Sequence, residues 1–198
     1  MNIILATHAG FCFGVKRATQ MAFEAAGKGG DTYTLGPIIH SPQVVHKLEE
    51  LGVKVVKRPS EVATGTVIIR SHGVTAAELE EVVQRQLAIV DATCPFVKKA
   101  QEHVKFLSQQ GYTVVVVGDA DHPEVEGLVS YAAGPVHVVA SVEEAQALPR
   151  TGKIGIVAQT TQSSDRLEAI VATCLRKGNE VRVFNTICDA TAVRQKEA

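Results

Sequence analysis

The stretch Ala9-Gly10-Phe11-Cys12-Phe13-Gly14-Val15-Lys16-Arg17-Ala18 is partly rewritten further along as Cys94-Pro95-Phe96-Val97-Lys98-Lys99-Ala100. Both copies read Cys-x-x-Val-Lys-basic-Ala, and Cys12 and Cys94 lie 82 residues apart. The same offset carries Gly36-x-x-x-His40 onto Gly118-x-x-x-His122. A third cysteine stands in similar dress, since Asn185-Thr186-Ile187-Cys188 echoes Asp91-Ala92-Thr93-Cys94. Units of roughly 80 to 95 residues, each headed by a cysteine, mark an internally repeated architecture.

Working outward from the two copies, short β-branched runs alternate with helical patterns. Strands are expected at 2–6, 32–35, 53–56, 66–70, 88–91, 113–118, 136–140, 154–158 and 181–184. Several are continuous apolar runs, as in strands covered on both faces. The helices between them have legible ends. Ser41-Pro42 supplies an N-cap and a first-turn proline, Val44, Val45, Leu48 and Leu51 form one face, and Gly52 stops the helix. Thr75 with Glu78 reads as a capping box leading into Leu79, Val82, Val83 and Leu87. Val97, Ala100, Val104 and Leu107 form a further stripe, closed by Gly111. The alternation predicts an α/β fold of small parallel-sheet lobes with right-handed crossovers. The cysteine repeat sets the expected boundaries: a first strand and cysteine loop at 1–13, one lobe at 14–94, a second at 95–187, and the start of a third at 188–198.

Composition narrows the function. The 198 residues are 45% apolar and 21% charged, with a formal net charge of −1. That balance predicts a soluble globular protein without the basic excess expected of a nucleic-acid binder. No run approaches the ~20 apolar residues of a membrane helix, and the run at 2–6 is too short for a signal-peptide core. A cytoplasmic protein is the expectation. Four cysteines scattered at 12, 94, 174 and 188 do not resemble a secreted disulfide framework.

Polar residues gather at strand ends, where α/β proteins place their sites. His40, Ser71-His72-Gly73, His122-Pro123-Glu124 and Gln159-Thr160-Thr161 all follow expected strands. By the repeat, Thr160 should occupy roughly the place of His72, and the two lobes should turn their strand ends to a shared cleft. Three cysteines at equivalent corners suit an iron–sulfur cluster with one iron left open. A Cys₃His zinc site and buried structural cysteines stay open as alternatives, although zinc sites usually carry close Cys-x-x-Cys pairs and none occurs here. Cys174, among Leu167, Ile170, Val171 and Leu175, reads as core. His40, His72 and His122 would offer donors to a phosphate or diphosphate. Glu124 is the candidate proton donor, against the alternative of an acid facing a helix dipole. His46 reads as solvated, His137 as strand surface and His103 as packing or surface. His8 is a possible neighbour of the first cysteine, and Asp119 and Asp121 serve the turn.

Read in order, Gly10-Phe11-Cys12-Phe13-Gly14-Val15, Leu35-Gly36-Pro37-Ile38-Ile39-His40, Arg70-Ser71-His72-Gly73, Asp91-Ala92-Thr93-Cys94-Pro95, His122-Pro123-Glu124-Val125, Gln159-Thr160-Thr161 and Ile187-Cys188 resemble the motif series of the 4-hydroxy-3-methylbut-2-enyl diphosphate reductases. The resemblance implies a [4Fe–4S] cluster on Cys12, Cys94 and Cys188. It implies diphosphate contacts from His40, His72 and His122, proton delivery by Glu124, and Thr160 orienting that carboxylate and the substrate hydroxyl. The implied reaction is the two-electron reductive dehydroxylation that ends the methylerythritol phosphate route, with ferredoxin or flavodoxin as donor. It yields isopentenyl and dimethylallyl diphosphates. The family resembles a pseudo-threefold trefoil, so the resemblance also implies that most of a third lobe lies beyond this sequence and that the first strand packs against it. Two other readings compete: a cluster dehydratase of the quinolinate synthase kind, and a cluster-holding fragment without catalysis. The His-Pro-Glu and Ser-His-Gly motifs oppose the dehydratase.

Overall fold

The first long helix, α1 (Phe13–Gly27), buries Gly14, Ala18, Ala22 and Ala25, a line of small residues at helical spacing. Small side chains let the helix lie close on a sheet, and Ala18, Ala22 and Ala25 share a core with Ile38, Ile39, Leu48, Val53 and Ile68. The computed structural model describes residues 6–197. The strand expected at 2–6 therefore lies, but for Ala6, outside the described residues.

After α1 come β1 (Thr32–Leu35), α2 (Pro42–Glu50), β2 (Lys54–Val56), a 3₁₀ turn (Pro59–Glu61), β3 (Thr66–Ile69), α3 (Ala76–Gln84) and β4 (Ala88–Asp91). These four strands form a parallel sheet in the order β2-β1-β3-β4. The series then repeats: α4 (Pro95–Gln109), β5 (Thr113–Val117), α5 (Pro123–Ser130), β6 (Val136–Val139), α6 (Val142–Ala147), β7 (Thr151–Ala158), α7 (Ser164–Cys174) and β8 (Gly178–Val183). The second sheet is also parallel, in the order β6-β5-β7-β8. A last helix, α8 (Asp189–Glu197), follows β8 as α4 follows β4.

The chain divides into two compact units, one of Phe11–Lys98 and one of Lys99 onward with the residues up to Gly10. In the second, Val114, Val115, Val116 and Val117 are all at most 1% exposed, so β5 is covered on both faces. Burying a valine fully is worth roughly 1.5–3 kcal/mol, which makes this strand the anchor of its sheet. Among the described residues no helix is long and apolar enough to cross a membrane.

Several expectations need adjustment. Strands expected to run to residues 70, 118, 140 and 184 each stop one residue earlier, and β2 begins one residue later, at Lys54. β7 and β8 start three residues earlier than their apolar runs, at Thr151 and Gly178, because Thr151 pairs with Gly178 in the ladder. Ser41 stands at the N-cap of α2 but its side chain makes no cap bond; its hydroxyl reaches Gln43 Oε1 at 3.1 Å. The Thr75–Glu78 capping box is present as read.

The register corrects one equivalence. Leu35 pairs with Ile69, and Val117, its counterpart, pairs with Ala158. Counting on from those pairs, Thr160 matches Ser71 and Thr161 matches His72. The backbone agrees, for Cys94 N–H donates to Ser71 O at 2.9 Å and Cys188 N–H donates to Thr160 O at 3.0 Å. The 82-residue offset fails here because the second unit places helix α6 where the first has a single 3₁₀ turn.

Candidate functional site

Each of three cysteines stands one residue ahead of a helix: Cys12 before α1, Cys94 before α4 and Cys188 before α8. In all three cases the cysteine carbonyl accepts the N–H four residues on, from Lys16, Lys98 and Ala192. None of the three is in a disulfide, and all are partly exposed. The positive end of a helix favours the negative charge of a thiolate ligand. Cys174 differs in burial and in its place at the end of α7. It is fully buried in the core with Leu167 and Ile170, and burial pushes its thiol up despite Lys177 nearby. The chemistry of the donor set thus suits an iron–sulfur cluster on Cys12, Cys94 and Cys188 and leaves Cys174 out.

Within the first unit, the loops carrying Cys12 and Cys94 meet. A Cβ added to Gly14 would lie 2.5 Å from Cys94 Sγ, so only glycine lets that sulfur approach the first turn of α1. Arg17, one turn further along α1, donates from Nη1 to Thr93 O at 3.1 Å and from Nη2 to Asp91 O at 3.5 Å. The Asp91 carboxylate accepts the Thr93 N–H at 3.0 Å and pairs with Lys98 Nζ at 2.5 Å. Partial burial pushes the Asp91 carboxyl up, but the Lys98 and Thr93 bonds outweigh it and hold it below the ordinary range.

His40 and His72 also come together in this unit. Their ring centroids are 4.5 Å apart, tilted by 43°. His40 follows a turn at Gly36, whose φ of +68° suits glycine and whose missing Cβ makes room for the Arg70 guanidinium. His40 borders a surface groove of about 510 Å³ with Pro37, Ile39, Pro42 and Val45.

The second unit holds the acid. His122 is the N-cap of α5, and its Nδ1 accepts the Glu124 N–H at 3.1 Å, which leaves Nε2 to carry the ring proton. Glu124 is 1% exposed. Its Oε1 accepts the Thr160 N–H at 2.6 Å and its Oε2 accepts the Thr160 hydroxyl at 2.8 Å. Burial pushes the Glu124 carboxyl up, and the two Thr160 bonds only partly pull it back. A carboxyl held toward its neutral form is suited to giving up a proton.

Gln159, 2% exposed, ties the two loops of this site together: Oε1 accepts the Asp119 N–H at 3.1 Å and Nε2 donates to Thr161 Oγ1 at 3.0 Å. Sequence reading assigned no role to Gln159, Gly14 or Arg17. The signal for the last two was available, since both fall inside the repeated cysteine motif. Three of the remaining four histidines make contacts of other kinds. His46 is exposed beside Glu49 and Glu50, His103 stacks on Phe184 at 3.9 Å, and His8 Nδ1 meets Glu197 Oε2 at 3.1 Å.

A family model described as LytB protein matches residues 3–198. The 4-hydroxy-3-methylbut-2-enyl diphosphate reductase of Geobacter sulfurreducens is 73% identical over 198 residues, covering 100% of this chain and 70% of that protein. The enzyme of the same name from Trichlorobacter lovleyi is 70% identical, covering 100% of this chain and 71% of its own length. A solved structure of (E)-4-hydroxy-3-methyl-but-2-enyl diphosphate reductase, described as the terminal enzyme of the non-mevalonate pathway, superposes with a TM-score of 0.86 at 44% identity. It covers 98% of this chain and 71% of the other. The Plasmodium falciparum E-1-hydroxy-2-methyl-but-2-enyl-4-diphosphate reductase gives 0.88 at 30% identity, covering 94% and 61%. With the match running through both repeats and all three helix-heading cysteines, the chain belongs to the LytB protein family.

Proposed function

We propose that this chain catalyses reductive dehydroxylation of 4-hydroxy-3-methylbut-2-enyl diphosphate to isopentenyl and dimethylallyl diphosphates, using a [4Fe–4S] cluster held by Cys12, Cys94 and Cys188. The observation that carries the reading is the buried Glu124 carboxyl with Thr160 bonded to both its oxygens. When bound, the cluster supplies a Lewis-acidic iron without a protein ligand and the two electrons the reaction consumes, taken from ferredoxin or flavodoxin.

The chain's own residues do the rest. Glu124 holds a proton on Oε2, because Oε1 is already occupied by the Thr160 N–H. With Glu124 neutral, the 2.8 Å bond that a carboxylate would accept from the Thr160 hydroxyl reverses: Oε2–H donates to Oγ1, whose own hydrogen is then free to pass to the substrate hydroxyl. As the C–O bond breaks, the hydroxyl departs as water and Glu124 is left as the carboxylate that Thr160 stabilises, while the two electrons and a second proton, drawn from solvent, make the new C–H bond of the product. His40, His72 and His122 donate hydrogen bonds to the diphosphate and fix the far end of the substrate. The lobes are taken at 14–94 and 95–187, as the cysteine repeat draws them.

Anaerobic purification with iron and sulfide quantitation, then titration with the allylic diphosphate, tests the reading. About four irons per chain and a spectrum that shifts with substrate are expected. Cys94→Ser should lose the cluster. A colourless wild-type chain after reconstitution would exclude the proposal.

A further inference from the structure

The basic pair in Cys-x-x-Val-Lys-basic-Ala has no part in the chemistry above, yet the chain writes it twice. In the first copy the second basic residue, Arg17, reaches out of its own helix to the main chain just ahead of Cys94. In the second copy the first basic residue, Lys98, reaches back to Asp91 of that same segment. From these contacts we infer that Arg17 is a positioning residue for the cluster, latching the helix that follows Cys12 onto the Asp91–Thr93 segment that presents Cys94. The inference rests on the proposed cluster ligation by these cysteines.

Three features make the latch specific. Arg17 donates to two carbonyls of one segment, Thr93 O and Asp91 O, which requires a planar fork with several N–H groups. That segment is itself stiffened, because the Asp91 carboxylate holds the Thr93 N–H at 3.0 Å and Lys98 Nζ at 2.5 Å. The latch also acts where the sulfur is closest to α1, beside Gly14. Both partners of Arg17 lie within three residues of Cys94, and Arg17 itself lies five residues after Cys12 on the same helix. Groups that orient ligands without touching the metal typically change its retention by about 10–100-fold when removed.

The test compares Arg17→Ala, Arg17→Lys and the exposed neighbour Lys16→Ala with the wild type after identical anaerobic reconstitution. The readouts are the rate at which a chelator strips the visible absorption, the spectrum of the reduced cluster, and the melting temperature of the cluster-free chain. Arg17→Ala should lose its cluster about tenfold faster or more. Arg17→Lys keeps the charge and the helix but lacks the fork, so it should fall between. Lys16→Ala should match the wild type. The cluster-free melting temperatures should stay far closer together than the stripping rates. Stripping rates for Arg17→Lys equal to the wild type would overturn the latch, as would a loss in Arg17→Ala fully accounted for by lower stability of the cluster-free chain. Cys12→Ser separates the two ideas: if wild type and Cys12→Ser hold equal iron, the ligand assignment fails, whatever Arg17 does.

Discussion

The two units share one strand order and differ in what their loops carry. The decisive difference is a single residue. In the first unit Ser41 stands between His40 and Pro42, so Pro42 opens α2 and the next residue, Gln43, is exposed. In the second, His122 is followed at once by Pro123, so the histidine itself becomes the N-cap and the residue matching Gln43 is Glu124. Dropping one residue thus couples histidine and acid through one main-chain hydrogen bond, and the acid is buried. The loop after the third strand diverges in step. Ser71-His72 of the first unit corresponds to Thr160-Thr161 of the second, and only the second offers both N–H and O–H to a carboxylate. On the proposed reading, the first copy would supply two of the three ring donors, and the second the third ring and the proton.

The sharpest way to break this contrast is Glu124→Gln, which gives the second unit the side chain the first already has. The fold and the absorption of the proposed cluster should persist, since an amide can still accept the Thr160 N–H and donate to its hydroxyl. Turnover should fall by about 10²–10⁴, the usual range for removing a positioned proton donor. Retained turnover in a stopped assay with reduced donor would remove Glu124 from the mechanism.

The same variant carries a stability signature of known sign. The Glu124 carboxyl sits above its ordinary value of 4.5 in the folded chain, chiefly through burial. Its contribution to stability is therefore complete below pH 4.5 and is lost as pH rises through the folded value. Glu124→Gln does not titrate, so its melting temperature should gain on the wild type between acid and neutral pH. A gap that stays constant across that range would mean the carboxyl is not raised.

Next in size is the contrast between the two copies of the cysteine motif. Gly14 in the first is matched by Phe96 in the second, and only at Gly14 would a Cβ strike a cysteine sulfur. Phe96 is half-exposed. Gly14→Ala should destabilise by about 1–3 kcal/mol through overpacking, partly offset by better helix propensity, and should loosen the cluster. Phe96→Ala should change stability by about 0.5 kcal/mol or less. Equal melting temperatures for Gly14→Ala and wild type would show that Cys94 moves aside freely.

Much of this was legible because the repeat is written in residue types that the physics needs. Two copies of a cysteine at a helix start, two of Gly-x-x-x-His, and valine runs of strand length bring out both sheets and single out Cys12, Cys94, His40 and His122 as candidates. What escaped the sequence escaped for identifiable reasons. The first residues of β7 and β8 are read off the ladder, not off hydrophobicity, because Gly152, Asn179 and Glu180 interrupt the apolar pattern. The match of Thr160 to Ser71 was hidden by a loop that lengthens into α6. Arg17 bonds main-chain carbonyls and Gln159 takes the Asp119 N–H, and a main-chain partner leaves no trace in the residue that provides it.

The smallest expected effect tests whether helix starts in the first unit are as alike as they read. Ser41 and Thr75 both precede a helix with a suitable hydroxyl, but only Thr75 accepts the N–H three residues on, from Glu78 at 3.2 Å, while Glu78 returns a bond to the Thr75 N–H at 2.8 Å. Thr75→Ala should therefore cost about 1 kcal/mol, in the usual range for a lost cap. Ser41→Ala should cost no more than a few tenths of that, because Pro42 already stands where the first turn needs no donor. Equal losses from the two variants, measured by urea unfolding at neutral pH, would show that the Ser41 hydroxyl caps α2 in solution.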